Sequence, residues 1–318
     1  MTSETTGSTR ILLKARPTVP QLADRLAAPA PEGLELYLDR ADLTAEDWLD
    51  RIRVAVEECG APTDFVWIVE APIRTLGGAY FDLTRDDADH RETIARVIRA
   101  GATIGAVAAN VHIVAPTTSA TELTADNRQR ALKQALPFVR FYVKGCIDAG
   151  LVPQIENIPP VGRMRESAFV FSAIGTTPDD LLAVHDLVPD VRFTVDVSHA
   201  ALAVNWQNVA LSDVVPDLRP VATYARAIAT AMDLTAWVAS AADLTTTVHV
   251  SNASGLLGEG LGYAEGDENL DRTLKTLVGS VPYFVTETLE VNPEHATGMR
   301  ETQSRLQALR AAHQVQGN

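Results

Sequence analysis

No apolar run in this sequence approaches the ~20 residues that a membrane-spanning helix requires, so a membrane protein of the helical kind is not expected. Cysteine is scarce. The two present, Cys59 and Cys146, lie far apart and late in expected helices, which argues against a disulfide framework and for a reducing, cytoplasmic setting. Both read as small buried or half-buried thiols. Basic residues are in deficit, with 27 Lys and Arg against 41 Asp and Glu and a net charge of −14. That balance disfavours a sequence-independent grip on nucleic acid, which needs cations to neutralise phosphates. Met1–Thr9 has no basic stretch followed by an apolar one, so no Sec-type signal is expected, and residues 1–9 read as a loose tail.

What the 318 residues do contain is alternation. Short β-rich runs recur at Arg10–Arg16, Leu34–Asp39, Phe65–Ala71, Asn110–Ala115, Val152–Ile158, Val191–Val197, Thr246–Ser251 and Tyr283–Thr288. Helix signals separate them. Thr18 is a candidate N-cap, Thr44-x-x-Asp47 has the form of a capping box, and Thr177-Pro178-Asp179-Asp180 places proline and acids in a first turn. An alanine-rich stretch at Leu218–Ala242 and a final helix at Gly298–Ala312 complete the set. Strands alternating with helices imply βαβ units and a parallel sheet. An open doubly wound sheet would usually carry a glycine-rich turn after its first strand, where this chain has Lys14-Ala15-Arg16-Pro17. Eight units therefore predict a single (β/α)8 TIM barrel over residues 10–312, followed by a loose tail at 313–318.

Barrel active sites form at the C-terminal ends of the strands. The long loops expected there are Pro72–Asp89, Pro159–Thr176 and Ser251–Asn269. The run ending at Asp196, with His199 three residues on, is the most pointed feature, because an aspartate closing a buried strand needs a partner. Asp196 would serve equally as a helix cap, and Asp-x-x-His alone carries little. The other strand ends add weight: Lys14 and Arg16, Asp39 and Arg40, Glu70, His112, Glu156 with Asn157, His249 with Asn252, and Glu287. Glu290 competes with Glu287 but has the opposite pleat parity. Of the seven histidines, His90, His185, His295 and His313 fall in helical or terminal segments and are expected to be solvated. Glu156, Asp196, His249 and Glu287 come from consecutive strands, five to eight. Three carboxylates and an imidazole suit one divalent cation, with Mn2+ placed ahead of Co2+, Mg2+ and Zn2+. The excess negative charge fits a Lewis acid holding a neutral polyol better than a structural zinc.

Taken together, these residues resemble the xylose isomerase-like TIM-barrel superfamily, which includes sugar-phosphate isomerases and epimerases, inosose dehydratases and AP endonucleases. The likeness rests on Ile155-Glu156-Asn157, Thr194-Val195-Asp196 with His199, Val248-His249 with Asn252, the Glu265-Gly266-Asp267 turn and Val285-Thr286-Glu287. It implies that Glu156, Asp196, His249 and Glu287 bind the metal, that Glu156 and Glu287 form the acid/base pair, and that His199 contacts substrate oxygens. His112, Glu70, Lys14 and Asn252 complete the expected substrate-binding set. The three-metal site of the AP endonucleases is not matched, since Glu70 holds a histidine position and the loop at 255–264 has no Asp-x-His. The expected function is an isomerase or epimerase acting on a sugar, keto-sugar or polyol through an enediolate, with a metal-dependent lyase or dehydratase as the alternative. A non-catalytic sugar-binding barrel and a nuclease rank below these. The expected partner is a small carbohydrate-like molecule, with no nucleic acid and no membrane. Proteins of this kind often pair as homodimers, although the sequence carries no interface signal of its own.

Overall fold

The computed structural model describes residues 8–163 and 169–316. Eight parallel strands close into a barrel: β1 (Arg10–Ala15), β2 (Gly33–Tyr37), β3 (Val66–Glu70), β4 (Ala108–His112), β5 (Val152–Glu156), β6 (Arg192–Asp196), β7 (Thr245–Val250) and β8 (Tyr283–Thr286). Their order around the barrel is their order in the chain, and β1 closes the ring by pairing with both β2 and β8. No described helix is long and apolar enough to cross a membrane.

Strand alternation divides the side chains into two sets. One set, including Leu13, Leu36, Val69, Val111, Ile155, Phe193 and Phe284, packs outward with Leu22, Ile52, Ile94, Phe138, Leu181, Trp237 and Leu306 of the surrounding helices. The other fills the barrel. Leu12, Val66, Ile68, Ala108 and Val285 make a separate apolar plug there. Beside it lies a buried polar network, in which the Gln154 amide donates to Thr247 Oγ1 at 2.8 Å and Thr194 Oγ1 donates to Gln154 Oε1 at 3.2 Å. Two residues further along each strand, on the same face, come Lys14, Glu70, Glu156, Asp196, His249 and Glu287. The barrel's inner layer therefore positions the ionisable layer above it.

Several local expectations are corrected. The capping box opens a short helix, Arg40–Thr44, through Asp39 and Asp42, and Asp47 makes no side-chain cap to the next helix, Trp48–Glu58. Thr18 likewise makes no cap bond. Thr177 and Asp180 do form a reciprocal box. The alanine-rich stretch is two helices, Arg219–Ile228 and Leu234–Ala241, because Asp233 caps the second through Ala236 N at 2.8 Å. β4 begins two residues early, on small alanines that give no β-branched signal, and Val114 has already left it to accept from Leu83 N. His90 is buried, not solvated: its Nδ1 lies 2.7 Å from Asp87 and its ring packs against Phe81 and Phe138. Residues 1–7 and 317–318 lie outside the described residues, while buried Thr9 bonds Val281 O and the last helix, Thr297–Gln316, runs past Ala312.

The three long loops follow the C-terminal ends of β3, β5 and β7, the second with residues 164–168 outside the described residues. The first closes on an Arg74–Tyr80 bridge. The second pairs Val161–Arg163 with Phe169–Ser172, and the third pairs Asn252–Ser254 with Gly258–Leu261.

Two stability tests follow. A Cβ on Gly33 would meet Val66 O at 2.4 Å and Leu12 Cγ at 2.8 Å. Gly33→Ala is expected to destabilise by about 1–3 kcal/mol in urea unfolding, and an unchanged midpoint would contradict so tight an interior. Hydrogen bonds from the His90 ring and backbone hold the Asp87 carboxyl down at about 2. Its contribution is therefore complete above about pH 4 and fades toward about pH 2. The Tm difference between wild type and Asp87→Asn should shrink over that interval, and a pH-independent difference would refute the link.

Candidate active site

At the C-terminal mouth of the barrel, Glu156, Asp196, His249 and Glu287 each offer a ligand atom within 4.8 Å of the others. Each sits there for a local reason. Asp196 ends β6 and caps the following helix, Val197–Asn208, with Oδ1 accepting from His199 N at 2.7 Å and from Ser198 Oγ at 2.9 Å. Its other oxygen lies 3.8 Å from His199 Nδ1. Oδ1 is thus the capping oxygen, and no cap bond engages Oδ2. Asn157 clamps this strand end, donating to Asp196 O at 3.0 Å and accepting from Asp196 N at 2.8 Å. Its carbonyl also takes His199 Nδ1 at 2.9 Å, which turns His199 Nε2 toward Glu259, 3.7 Å away.

Glu156 is fully buried, with Oε2 accepting from the Asn110 amide. Its Oε1 faces His249 Nδ1 at 3.1 Å, His112 Nε2 at 3.6 Å and His199 Nδ1 at 3.8 Å. Glu287 is the most open of the four, with its side chain 26% exposed. One of its oxygens lies 2.6 Å from His249 Nδ1 and the other takes the Lys14 ammonium. Glu290 is placed elsewhere and accepts from Gly298 N and Met299 N at the start of the last helix.

The expected substrate-binding residues divide. His112, Glu70 and Lys14 line the same mouth, and Glu70 contacts Lys14. Asn252 does not face it. Its amide donates to the carbonyls of Tyr263 and Glu268 and accepts from Ala253 N and Glu268 N, so its polar atoms are used inside the loop. Arg16 pairs with Asp42, outside the cluster.

Sequence reasoning missed three residues. Glu35 of β2 is fully buried, 2.6 Å from His249 Nε2 and 3.9 Å from Lys14 Nζ. The signal was a carboxylate inside Leu34-Glu35-Leu36, on the inward parity of its strand, but it lies short of the strand end where ligands were sought. Asn110, also mid-strand, orients Glu156, and Glu259 enters from a glycine-rich loop with no periodicity to mark it.

The electrostatics are those of crowded acids. Burial would raise the Glu156 pKa, but His249, His112 and Lys14 outweigh it and hold that carboxyl well below the usual range. Glu287 is similarly held at about 2, with burial opposed by Lys14 and His249. Burial raises Glu70 well above the carboxylate range despite Lys14, and it also raises Asp196. For Lys14 and His249 burial acts downward, but the surrounding carboxylates overcome it and raise both. Burial lowers His112, whereas the acids around His199 raise it.

These residues fit a divalent cation. Glu35, Glu70, Glu156, Asp196 and Glu287 gather five carboxyls around Lys14 and His249; a metal-ligating His249 is neutral, which leaves Lys14 as the cation within this group and an excess of buried acid that a dication offsets. Buried Glu287 Oε2 and His249 Nε2 have no hydrogen-bond partner, although each lies close to a group of the cluster. Mixed oxygen and imidazole donors suit Mn2+, Co2+ or Zn2+.

No family model matches this sequence, and no curated protein does. Solved structures do match along nearly the whole chain. A D-tagatose 3-epimerase-like protein superposes with a TM-score of 0.67 over 98% of this chain and 100% of its own, at 13% identity. A xylose isomerase domain protein from Planctomyces limnophilus does so at 0.58 over 95% and 97%, at 11% identity. The chain has the xylose isomerase-like TIM-barrel fold. The same fold extends to endonuclease IV from Thermus thermophilus, with a TM-score of 0.55, 15% identity and coverage of 94% and 99%. The xylose isomerase-like fold thus spans sugar enzymes and a nuclease, so the chemistry of this chain has to be argued from its own residues.

Glu35 orients His249 from behind, as a carboxylate commonly does for a metal-bound imidazole. Glu35→Gln is expected to lower Mn2+ affinity by about 10–100-fold in calorimetric titration with the fold intact. Unchanged affinity would remove Glu35 from that role.

Proposed function

We propose that the protein is a metal-dependent isomerase or epimerase acting on a sugar, keto-sugar or related polyol. The observation that carries this reading is the convergence of Glu156, Asp196, His249 and Glu287 from four consecutive strands at the barrel mouth. In this proposal those four residues hold one divalent cation, Mn2+ before Co2+, Mg2+ or Zn2+. Such an ion supplies Lewis-acid polarisation of a carbonyl and its neighbouring hydroxyl.

The protein's own groups then move the proton. One of Glu156 and Glu287 removes it from the carbon beside the carbonyl, and the other, or the same one, returns it to the resulting enediolate. Carboxylates held at low pKa are weak bases, so proximity and carbonyl polarisation must supply most of the rate. His199, fixed through Asn157, and His112 present ring nitrogens to substrate hydroxyls.

The pairing of His199 Nε2 with Glu259 supports a second reading. After the same proton abstraction, a β C–O bond breaks and the departing hydroxide takes a proton from His199, leaving as water. That is a lyase on the same residues. Phosphodiester cleavage is disfavoured by the net charge of −14 and by the acid-lined mouth, both of which repel a phosphate backbone.

The test compares metal content and proton exchange in wild type and a Glu156→Gln/Asp196→Asn variant. About one metal per chain is expected in wild type and none in the variant. In D2O with Mn2+, a panel of ketoses, inososes and keto-glycosides should yield product deuterated beside the carbonyl, read by NMR. An unchanged product formula marks the epimerase, and loss of water marks the lyase. No metal and no exchange would contradict both.

A further inference from the structure

Lys14 has no counterpart among the metal-type donors around it, yet it stands in their midst. Its ammonium contacts Glu70 and Glu287 and lies 3.9 Å from Glu35, so three carboxyls, from β2, β3 and the residue just after β8, surround one cation. This grouping is distinct from the four-residue cluster, though it shares Glu287. Glu35, Glu70 and His249 by themselves also meet the spacing of a metal site, sharing His249 with the four-residue cluster. Lys14 holds Glu70 Oε2, Glu35 Oε2 faces His249 Nε2 at 2.6 Å, and the buried Oε1 of Glu35 has no hydrogen-bond partner. Glu35 is fully buried and Glu70 is 2% exposed, so water is excluded from them.

We propose that this is a second cation site, which Lys14 fills permanently. The side chain is the built-in monovalent ion of a two-cation centre whose other member is the divalent metal of the proposed function, and the inference rests on that reading. Glu287 joins the two cations, one oxygen toward Lys14 and the other toward His249 and the four-residue cluster. Strand geometry puts the ammonium there: Lys14 lies two residues beyond Leu12 of the apolar plug, on the same inward face and level with Glu35 of the neighbouring strand.

The substitution has a chemical consequence. Two divalent ions about 3.5–4 Å apart clamp both oxygens of a displacement and ionise a water for attack, as in hydrolases. An ammonium does neither. It is a fixed point charge with three donors, able to hold a substrate oxygen without generating hydroxide. A site built this way polarises and orients a polyol or keto-sugar while remaining poor at hydrolysis. The ligand class assigned to the Lys14 side is accordingly an oxygen of that substrate next to the metal-bound pair.

The test asks what enters when the ammonium is removed. Wild type, Lys14→Met, Lys14→Gln and Lys14→Arg are each loaded with MnCl2, desalted and measured by native mass spectrometry and Mn2+ EPR, with circular dichroism as the fold control. Wild type and Lys14→Arg should carry about one Mn2+ per chain, whereas Lys14→Met should carry about two, with the EPR signal broadened by coupling between close ions. Lys14→Gln keeps a polar head in contact with Glu70 and Glu287 and reads the same result if Lys14→Met fails to fold. Lys14→Met/Glu70→Gln should return to about one. One Mn2+ in wild type and one in the folded neutral variants would overturn the proposal while leaving the metal enzyme standing. Two in wild type would also overturn it, by showing that Lys14 does not fill the position. None in wild type would instead defeat the reading on which the proposal rests.

Discussion

Everything at the mouth of this barrel follows from one constraint: five carboxyl groups are gathered where water barely reaches, and they must be neutralised. Lys14 does part of this from within the chain, and His249 does so only while protonated, a charge it gives up on ligating a metal. The remaining imbalance makes a divalent cation a natural occupant, while burial sets the direction of the shifts at Glu70, Asp196 and His112 and neighbouring charges set it at Glu156, Glu287, Lys14 and His249. Removing any one charge would redistribute the rest, because Glu287 and His249 each face two groups at once.

The barrel supplies this arrangement through simple periodicity. Six of the ionisable residues stand two positions beyond a residue of the inner plug or its polar network, as Lys14 beyond Leu12, Glu156 beyond Gln154 and His249 beyond Thr247. The lower layer therefore fixes the height of the upper one, and the tight approach of Gly33 to Val66 belongs to the same inner packing.

Period and strand-end position made the eight strands, the closed topology and the grouping of Glu156, Asp196, His249 and Glu287 legible in the sequence. Pleat parity also separated Glu287 from Glu290, which the structure places at a helix start. Other features depend on tertiary partners that no local pattern announces. Glu35 lies mid-strand, and its meeting with His249 requires the barrel to bring β2 and β7 together. Asn252 shares a strand end with the site but spends its amide on loop carbonyls. His90 is buried by Phe81 and Phe138, a contact that helical position alone does not announce. Lys14 was placed in the mouth, but its role as counter-ion to three acids emerges only from their convergence.

The central claim is that the four strand-end residues form a divalent metal centre beside a fixed ammonium. Anomalous diffraction from crystals grown with Mn2+ tests it most directly. The account predicts one strong peak within about 2.0–2.3 Å of donor atoms from Glu156, Asp196, His249 and Glu287, with the Lys14 ammonium still held by Glu70. A mouth without a peak, or a peak sitting in place of a displaced Lys14, would contradict it.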